Sequence, residues 1–292
     1  MFMLIIWLQG IWLPLHGYSF SRTPLWAGIA MLPLTAGFLI AGPVSGILSD
    51  RYGARPFATG GMIGTAVAFV LMELLPINFS YWVFGVLLFG MGLTMASFGS
   101  PNRAGVMNSL PAEHRGVGAG MNTTFVNSAQ VLSIGIFFSL IIVGLSGSLP
   151  QSLYHGLTSH GVSASAAHRV ANLSPVSTLF AALLGYNPVH QLLGPQALSH
   201  LSHAQQATLT GRSFFPSLIA APFRSGLRAA FDFAIVASIL AAITSWTRSG
   251  RAPARSPLVG ITPGLDQADG KIEDDGEPVE QSVREPAHTG PA

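Results

Sequence analysis

The chain has 292 residues, of which 49% are hydrophobic and only 9% are charged, with a formal net charge of +2. Soluble domains carry about 25% charged residues, so this composition excludes an ordinary soluble globular protein. Among the 12 acidic residues, only Asp50, Glu73, Glu113 and Asp232 precede residue 266. The composition therefore indicates an integral membrane protein whose expected partner is the lipid bilayer.

Six apolar segments follow one another along the chain, separated mostly by short polar connections. They cover about residues 1–16, 25–48, 57–75, 79–98, 117–145 and 226–248. All but the first have about 20 residues or more, which is the length that crosses a bilayer as a helix. The pattern predicts an all-α membrane protein with six transmembrane helices.

Two stretches lack the composition of a span. Residues 146–225 mix Ser, His, Gln, Gly and Pro with short apolar runs, which predicts a long loop carrying amphipathic helices. Residues 249–292 are rich in Pro, Gly and acidic residues, which predicts a disordered tail.

Arginines concentrate in the connections at residues 50–56 and 99–116 and after residue 247. Six alternating spans place these three regions on one side, which the positive-inside rule makes cytoplasmic. We therefore predict a multi-pass protein of the cell membrane with both termini in the cytoplasm. Residues 146–225 would then be extracellular.

Residues that hold cofactors or metals are sparse. The absence of cysteine excludes disulfides and thiolate metal sites. No acidic residue lies in residues 146–225 to orient a loop histidine, so we expect no enzymatic activity, metal or cofactor. The arginines are spread over short loops, and this excludes a nucleic-acid partner.

Two acids within or beside the spans are candidates for carrying protons. Asp232 lies in the sixth span and Glu73 near the end of the third. An acid at this depth is costly unless it faces a cavity or a partner, so it marks a candidate proton pathway. The alternatives are an ion pair of Asp232 with Arg228, one helical turn earlier, and an interfacial position for Glu73.

The fifth span carries three amides, Asn122, Asn127 and Gln130. At about 100° per residue they fall within one half of the helix circumference. Such a side either lines a substrate cavity or forms hydrogen bonds between helices, and both interpretations remain open. Glycines such as Gly37 and Gly42 in the second span, and others in the fourth, predict close helix packing.

The connection between the second and third spans is short, charged and rich in glycine. Asp50 is suited to capping the following helix, and Gly53 permits a left-handed backbone conformation. Arg51 and Arg55 favour the cytoplasmic side. These properties alone are compatible with a turn that fixes topology and has no conformational role.

The spacing of this connection resembles the cytoplasmic loop signature of the major facilitator superfamily of transporters. Ser49 and Ala54 depart from the usual pattern. Residues 8–48 and 115–122 look like the later part of the fourteen-span drug:proton antiporters. The positions that match the signature are Gly46, Leu48, Asp50, Arg51, Gly53 and Arg55.

This resemblance implies that the chain is the C-terminal portion of such a transporter, a half bundle of six helices without its N-terminal half. It implies proton-coupled export of small hydrophobic or cationic compounds by alternating access. The loop at residues 46–55 would act in gating, and a second transporter half or a homodimer would complete the pathway. The alternative is a non-transporting membrane fragment or a regulatory or assembly partner of a transporter.

Overall fold

The computed structural model describes residues 1–184 and 187–247, and in this part of the chain every regular element is helical. The predicted disordered tail, residues 249–292, lies outside the described residues. A π-helical segment at Leu8–Trp12 joins the first two helices, and short 3₁₀ turns cover Phe20–Arg22 and Ala112–His114. The α-helices are α1 (Phe2–Trp7), α2 (Leu13–Leu15), α3 (Thr23–Ala30), α4 (Leu32–Tyr52), α5 (Ala54–Glu73), α6 (Tyr81–Asn108), α7 (Arg115–Ser159), α8 (Ala164–Ala171), α9 (Pro175–Leu184), α10 (Val189–Ser199), α11 (His203–Leu209) and α12 (Phe214–Thr247).

Within the described residues, five helical stretches are long and apolar enough to cross a membrane. They are Phe20–Tyr52, Ala54–Glu73, Tyr81–Asn108, Ala112–Ser159 and Phe214–Thr247. The first predicted span is instead the shorter apolar stretch Phe2–Leu15, which is about 21 Å long and falls short of a hydrocarbon core of about 30 Å. Five of the six predicted spans thus correspond to described helices that are long and apolar enough to cross a membrane.

The short N-terminal stretch lies in the core of the bundle. Leu4, Leu8 and Ile11 are almost fully buried. The indole Nε1 of Trp12 donates a hydrogen bond of 3.1 Å to the carbonyl of Phe79, just before α6, and the two rings stack with centroids 5.3 Å apart. These contacts hold the stretch against the start of α6.

Glycines set the crossing of α4 and α6. A Cβ on Gly37 would overlap the carbonyl oxygen of Phe89, and one on Gly92 would overlap that of Leu34. Gly61 of α5 also approaches the backbone of α6, since an added Cβ would lie 2.7 Å from the carbonyl oxygen of Thr94. Small residues therefore allow backbone-to-backbone contact at these crossings, which is how helices associate in lipid.

The fifth span departs from its predicted end at residue 145, because α7 continues to Ser159 through Gly147 and Pro150. Its 45 residues extend over about 68 Å, far more than a bilayer thickness. Glycine and proline together cost about 4 kcal/mol in a helix interior. A buried ridge of leucines, each stabilising the fold by about 1.5–3 kcal/mol, offsets that cost. The ridge consists of Leu145, Leu149, Leu153 and Leu157.

Four short helices, α8 to α11, lie between α7 and α12, where a loop with amphipathic helices was expected. Side-chain amides tie their connections together: Asn187 donates to the carbonyls of Leu209 and Gly211, and Gln206 donates to that of Leu198. The last helix also begins earlier than predicted, at Phe214 rather than near residue 226. Regular helix therefore occupies both ends of the predicted loop.

Candidate functional site

The connection between α4 and α5 is a sharp turn at Gly53. This residue has φ +88°, a conformation that favours glycine, and it separates the two helices without any further linker. Gly46, one turn and a half before the end of α4, faces Ser100, whose Oγ would lie 3.2 Å from an added Cβ. The last turns of α4, just before the junction, therefore pack closely against α6.

Asp50 does not cap α5, contrary to the sequence-based expectation. The carboxylate belongs to the last turn of α4 and is exposed, while α5 starts after Gly53 with no side-chain cap hydrogen bond. The expectation failed because α4 continues as far as Tyr52. An acid in the last turn of a helix lies at the negative end of the helix dipole, so Asp50 has an unfavourable local environment.

Arg55 connects this junction to the far end of the chain's last helix. Its guanidinium carbon lies 4.5 Å from the ring centroid of Trp246 near the end of α12, a cation–π geometry. Its Nε is buried without a hydrogen-bond partner. Arg51 instead lies over the neighbouring ring of Tyr52 at 5.5 Å. The α4–α5 junction and the end of α12 therefore occupy the same end of the bundle. The sequence pattern predicted that both regions lie on one side, but it did not indicate this direct contact.

Glu73 forms an ion pair with Arg228, with 3.8 Å between its Oε1 and the arginine Nε. The alternative that paired Arg228 with Asp232 is therefore wrong in this structure. The reason is tertiary: α5 packs along α12, where Phe69 also contacts Phe231 at 5.7 Å. Because α5 ends beside Arg228, Glu73 reaches the guanidinium that local spacing assigned to Asp232.

Asp232 lies on the exposed side of α12, and no hydrogen bond or ion pair joins it to another described residue. The buried stripe of α12 includes Leu227, Ala230 and Ala234, on the opposite side of the helix at 100° per residue. Asp232 is about 22 Å along the axis from Thr247. It therefore lies on a face of a membrane-length helix that the described chain leaves uncovered.

The amides of α7 also face away from described protein. Asn127 and Gln130 are exposed and Asn122 is half-buried, and none has a hydrogen-bond partner in the described part of the chain. Gln130 and Asn127 lie within about 40° of the helix face of Ile141, which is fully buried. Asn127 and Gln130 thus continue the buried face of α7 into a region where no described helix covers it.

The two helices that carry these groups run antiparallel and meet at a pair of glycines. A Cβ on Gly144 would overlap the backbone of Gly226, and Phe137 contacts Phe233 at 5.7 Å nearer the α4–α5 junction. Between its N-terminus and Phe137, α7 is largely exposed. Its amides and Asp232 therefore lie on two helices that pack against each other.

A sequence model of the Major Facilitator Superfamily matches residues 1–134. Over this segment, which is under half of the chain, the sequence is similar to that superfamily. This similarity and the five long apolar helices together support a multi-pass membrane protein.

Individual members of the superfamily are similar to this chain over different lengths. The methyl viologen resistance protein SmvA of Salmonella typhimurium is 30% identical over 134 residues, which is 46% of this chain and 26% of SmvA. The riboflavin transporter RibZ of Clostridioides difficile is 27% identical over 43% of this chain and 28% of its own length. The tetracenomycin C resistance and export protein of Streptomyces glaucescens is 26% identical over 90% of this chain and 44% of its own length.

The chain therefore spans between about a quarter and under half of these curated superfamily members. No solved structure gives a significant match. All three relatives are named as transport or resistance proteins, and none is named as an enzyme.

Proposed function

We propose that the chain forms the C-terminal portion of a secondary active transporter akin to the fourteen-span drug:proton antiporters. It would export small hydrophobic or cationic compounds in exchange for protons. The observation that carries the proposal is the set of polar side chains without described partners on membrane-length helices, Asp232, Asn127 and Gln130. Such groups are costly in hydrocarbon unless they line a water-filled cavity or face protein. A pathway between two transporter halves meets that requirement.

In this proposal Asp232 binds and releases the coupling proton, and the amides of Asn122, Asn127 and Gln130 line the substrate pathway. Amides hydrogen-bond to polar substrate groups without adding charge, and this suits compounds that are largely apolar. Glu73 is the weaker proton-pathway candidate, because Arg228 already neutralises it. Asp232 has no such described counter-ion.

The gate is proposed at the α4–α5 junction, with Gly46, Asp50, Arg51, Gly53 and Arg55 as its residues. Asp50 lies exposed at the unfavourable end of the α4 dipole. The positive N-terminus of a helix from an opposing half would stabilise it in one conformation only. We place this junction and both termini in the cytoplasm of a cell-membrane protein and residues 146–225 outside, in line with the arginine distribution.

The opposing half would come from a second polypeptide or from a second copy of this chain. Alternating access needs two halves that move against each other, and the uncovered polar face of α7, where Asn127 and Gln130 are exposed, is where such a half would pack. The names of the methyl viologen and tetracenomycin C relatives support export of small molecules.

The experiment reconstitutes the full chain into vesicles with an imposed pH gradient, followed by a pH-sensitive dye. Methyl viologen and tetraphenylphosphonium serve as probe substrates. We expect each active probe to dissipate the gradient, and Asp232→Asn to abolish the effect because the amide cannot carry the proton. Glu113→Gln is the matched control, since Glu113 is an exposed acid in the 3₁₀ turn before α7. Well-folded protein that moves no protons with any probe would refute independent transport.

The second candidate is a non-transporting membrane component that regulates or assembles with a transporter. It is favoured by the uncovered face of α7, because the exposed amides of Asn127 and Gln130 could form hydrogen bonds to a helix of a partner transporter. Crosslinking from a cysteine introduced at Asn127 separates the candidates. Crosslinks to a second copy, together with proton flux, support the homodimeric transporter, whereas a stable chain with neither supports the non-transporting component.

A further inference from the structure

A small cleft between α5 and α12 combines positive charge with apolar walls. Arg224 and Arg228 of α12 line it together with Glu73 of α5, and apolar side chains including Trp7 and Phe231 complete it. Trp7 and Phe231 are themselves buried in the core of the bundle. The apolar walls of the cleft are therefore part of the packed core, and its charged residues are the more exposed part of the lining.

The charges in the cleft do not balance. Glu73 pairs with Arg228, but the separation is 3.8 Å and the two side chains remain 26% and 56% exposed, respectively. Arg224 lies one helical turn before Arg228 and has neither an ion pair nor a hydrogen bond to another described residue. Two guanidinium groups thus share one carboxylate, leaving one positive charge uncompensated.

The cleft lies at the depth of lipid headgroups. Glu73 ends α5, whose 20 residues place it nearly 30 Å from the α4–α5 junction. Thr247, at the end of α12, lies at the same end of the bundle as that junction. Arg228 is about 28 Å away from it along the helix axis. Both distances match a hydrocarbon thickness of about 30 Å. The charged groups therefore meet the bilayer boundary opposite the α4–α5 junction.

We propose that this cleft binds the headgroup of an anionic phospholipid such as phosphatidylglycerol. Its phosphate would lie between Arg224 and Arg228, because planar guanidinium groups match phosphate oxygens in charge and geometry. A zwitterionic lipid is disfavoured, since its own cation opposes the uncompensated arginine charge. The hydrophobic or cationic substrates proposed above are not drawn to this positive site, so the lipid site stands apart from transport.

The test uses the full chain purified in mild detergent and native mass spectrometry. Phosphatidylglycerol and phosphatidylcholine with identical acyl chains are added in equal amounts. We expect preferential retention of phosphatidylglycerol, and an affinity about fivefold lower in Arg224→Gln or Arg228→Gln, since each basic residue strengthens binding to anionic lipid by about that factor. Arg212→Gln is the matched control, because Arg212 is exposed in the turn before α12 and lies outside the cleft. It should bind as the wild type does.

Glu73→Gln separates a lipid site from a structural ion pair. Removing the carboxylate frees Arg228 for the phosphate, so phosphatidylglycerol retention should stay equal or increase even if the melting temperature falls. Arg224→Lys preserves the charge and should retain most of the preference, which guards against loss through misfolding. A loss of lipid preference in Glu73→Gln, at unchanged helix content, would contradict the proposal.

Two further results would overturn it. Equal retention of the two lipids by the wild-type protein would show that the site does not distinguish headgroup charge. Unchanged retention of phosphatidylglycerol in both Arg→Gln variants would show the same. Glycerol 3-phosphate provides the soluble headgroup alone. Displacement of phosphatidylglycerol by this compound at millimolar concentration would assign the cleft to a soluble anion, whereas failure to displace it supports the lipid.

Discussion

Gly92 is the position where one added methyl group should most clearly loosen the bundle. Its Cβ would overlap the carbonyl oxygen of Leu34 and would lie 2.9 Å from the amide nitrogen of Phe38. Both are backbone atoms of α4, so no side-chain rotation relieves the overlap. We expect Gly92→Ala to push α4 and α6 apart by about 1 Å, the shift needed to restore ordinary van der Waals contact.

The expected cost follows from that separation. A gap of about 1 Å forfeits up to half of the dispersion energy of each contact along the crossing, and overpacking of a well-packed interior costs about 1–3 kcal/mol. We therefore expect Gly92→Ala to destabilise the fold by about 1–3 kcal/mol. Gly90→Ala is the matched control on the same helix, because a Cβ there meets nothing within 4 Å. Alanine's higher helix propensity, worth up to about 1 kcal/mol, makes the control neutral or stabilising.

The assay is unfolding in mixed micelles as the mole fraction of dodecyl sulfate rises, followed by tryptophan fluorescence. Gly92→Ala should unfold at a lower fraction than wild type, and Gly90→Ala at an equal or higher one. The same contrast is expected on the partner helix between Gly37→Ala and Gly42→Ala, since only Gly37 faces backbone atoms of α6. If the substitutions at Gly92 and Gly90 have the same effect, this crossing is not set by backbone contact and the reasoning fails.

Three further substitutions test other contacts. Gly144→Val should weaken the α7–α12 crossing by about 1–3 kcal/mol, measured by the same unfolding assay. Gly147→Val should cost less, because a Cβ there meets nothing within 4 Å, and equal losses of stability would argue against the crossing. Gly53→Ala should lower stability by about 1 kcal/mol because φ +88° strains any side chain, and an unchanged midpoint would mean that the junction relaxes freely. Arg55→Gln should alter the fluorescence of Trp246 by removing the guanidinium 4.5 Å from its ring, whereas an unaltered spectrum would indicate that this contact is not formed in solution.

Many of the helices can be predicted from the sequence, because two local properties define a span. It needs about 20 apolar residues to cross the bilayer, and charged residues are costly inside it. The apolar segments beginning near residues 25, 57 and 79 correspond to helices of the structure, since each is limited by charged or turn-forming residues that halt the apolar run. The end of α7 was not predictable in this way. Gly147 and Pro150 are local signals for a helix end. They are outweighed only by the burial of nearby leucines such as Leu153 against other parts of the fold.

The candidate site divides along the same line. Composition and spacing by themselves indicated a membrane protein and a tight junction at residues 46–55 that resembles the superfamily's loop signature. They also showed that Asp232, Glu73 and the α7 amides are unusual in apolar helices. Only the tertiary structure decided that Glu73 and not Asp232 meets Arg228, and that Gly92 and not Gly90 contacts a neighbouring backbone. The physical reason is that a helix's own periodicity fixes which residues share a face, whereas the partner of that face depends on how distant helices pack against it.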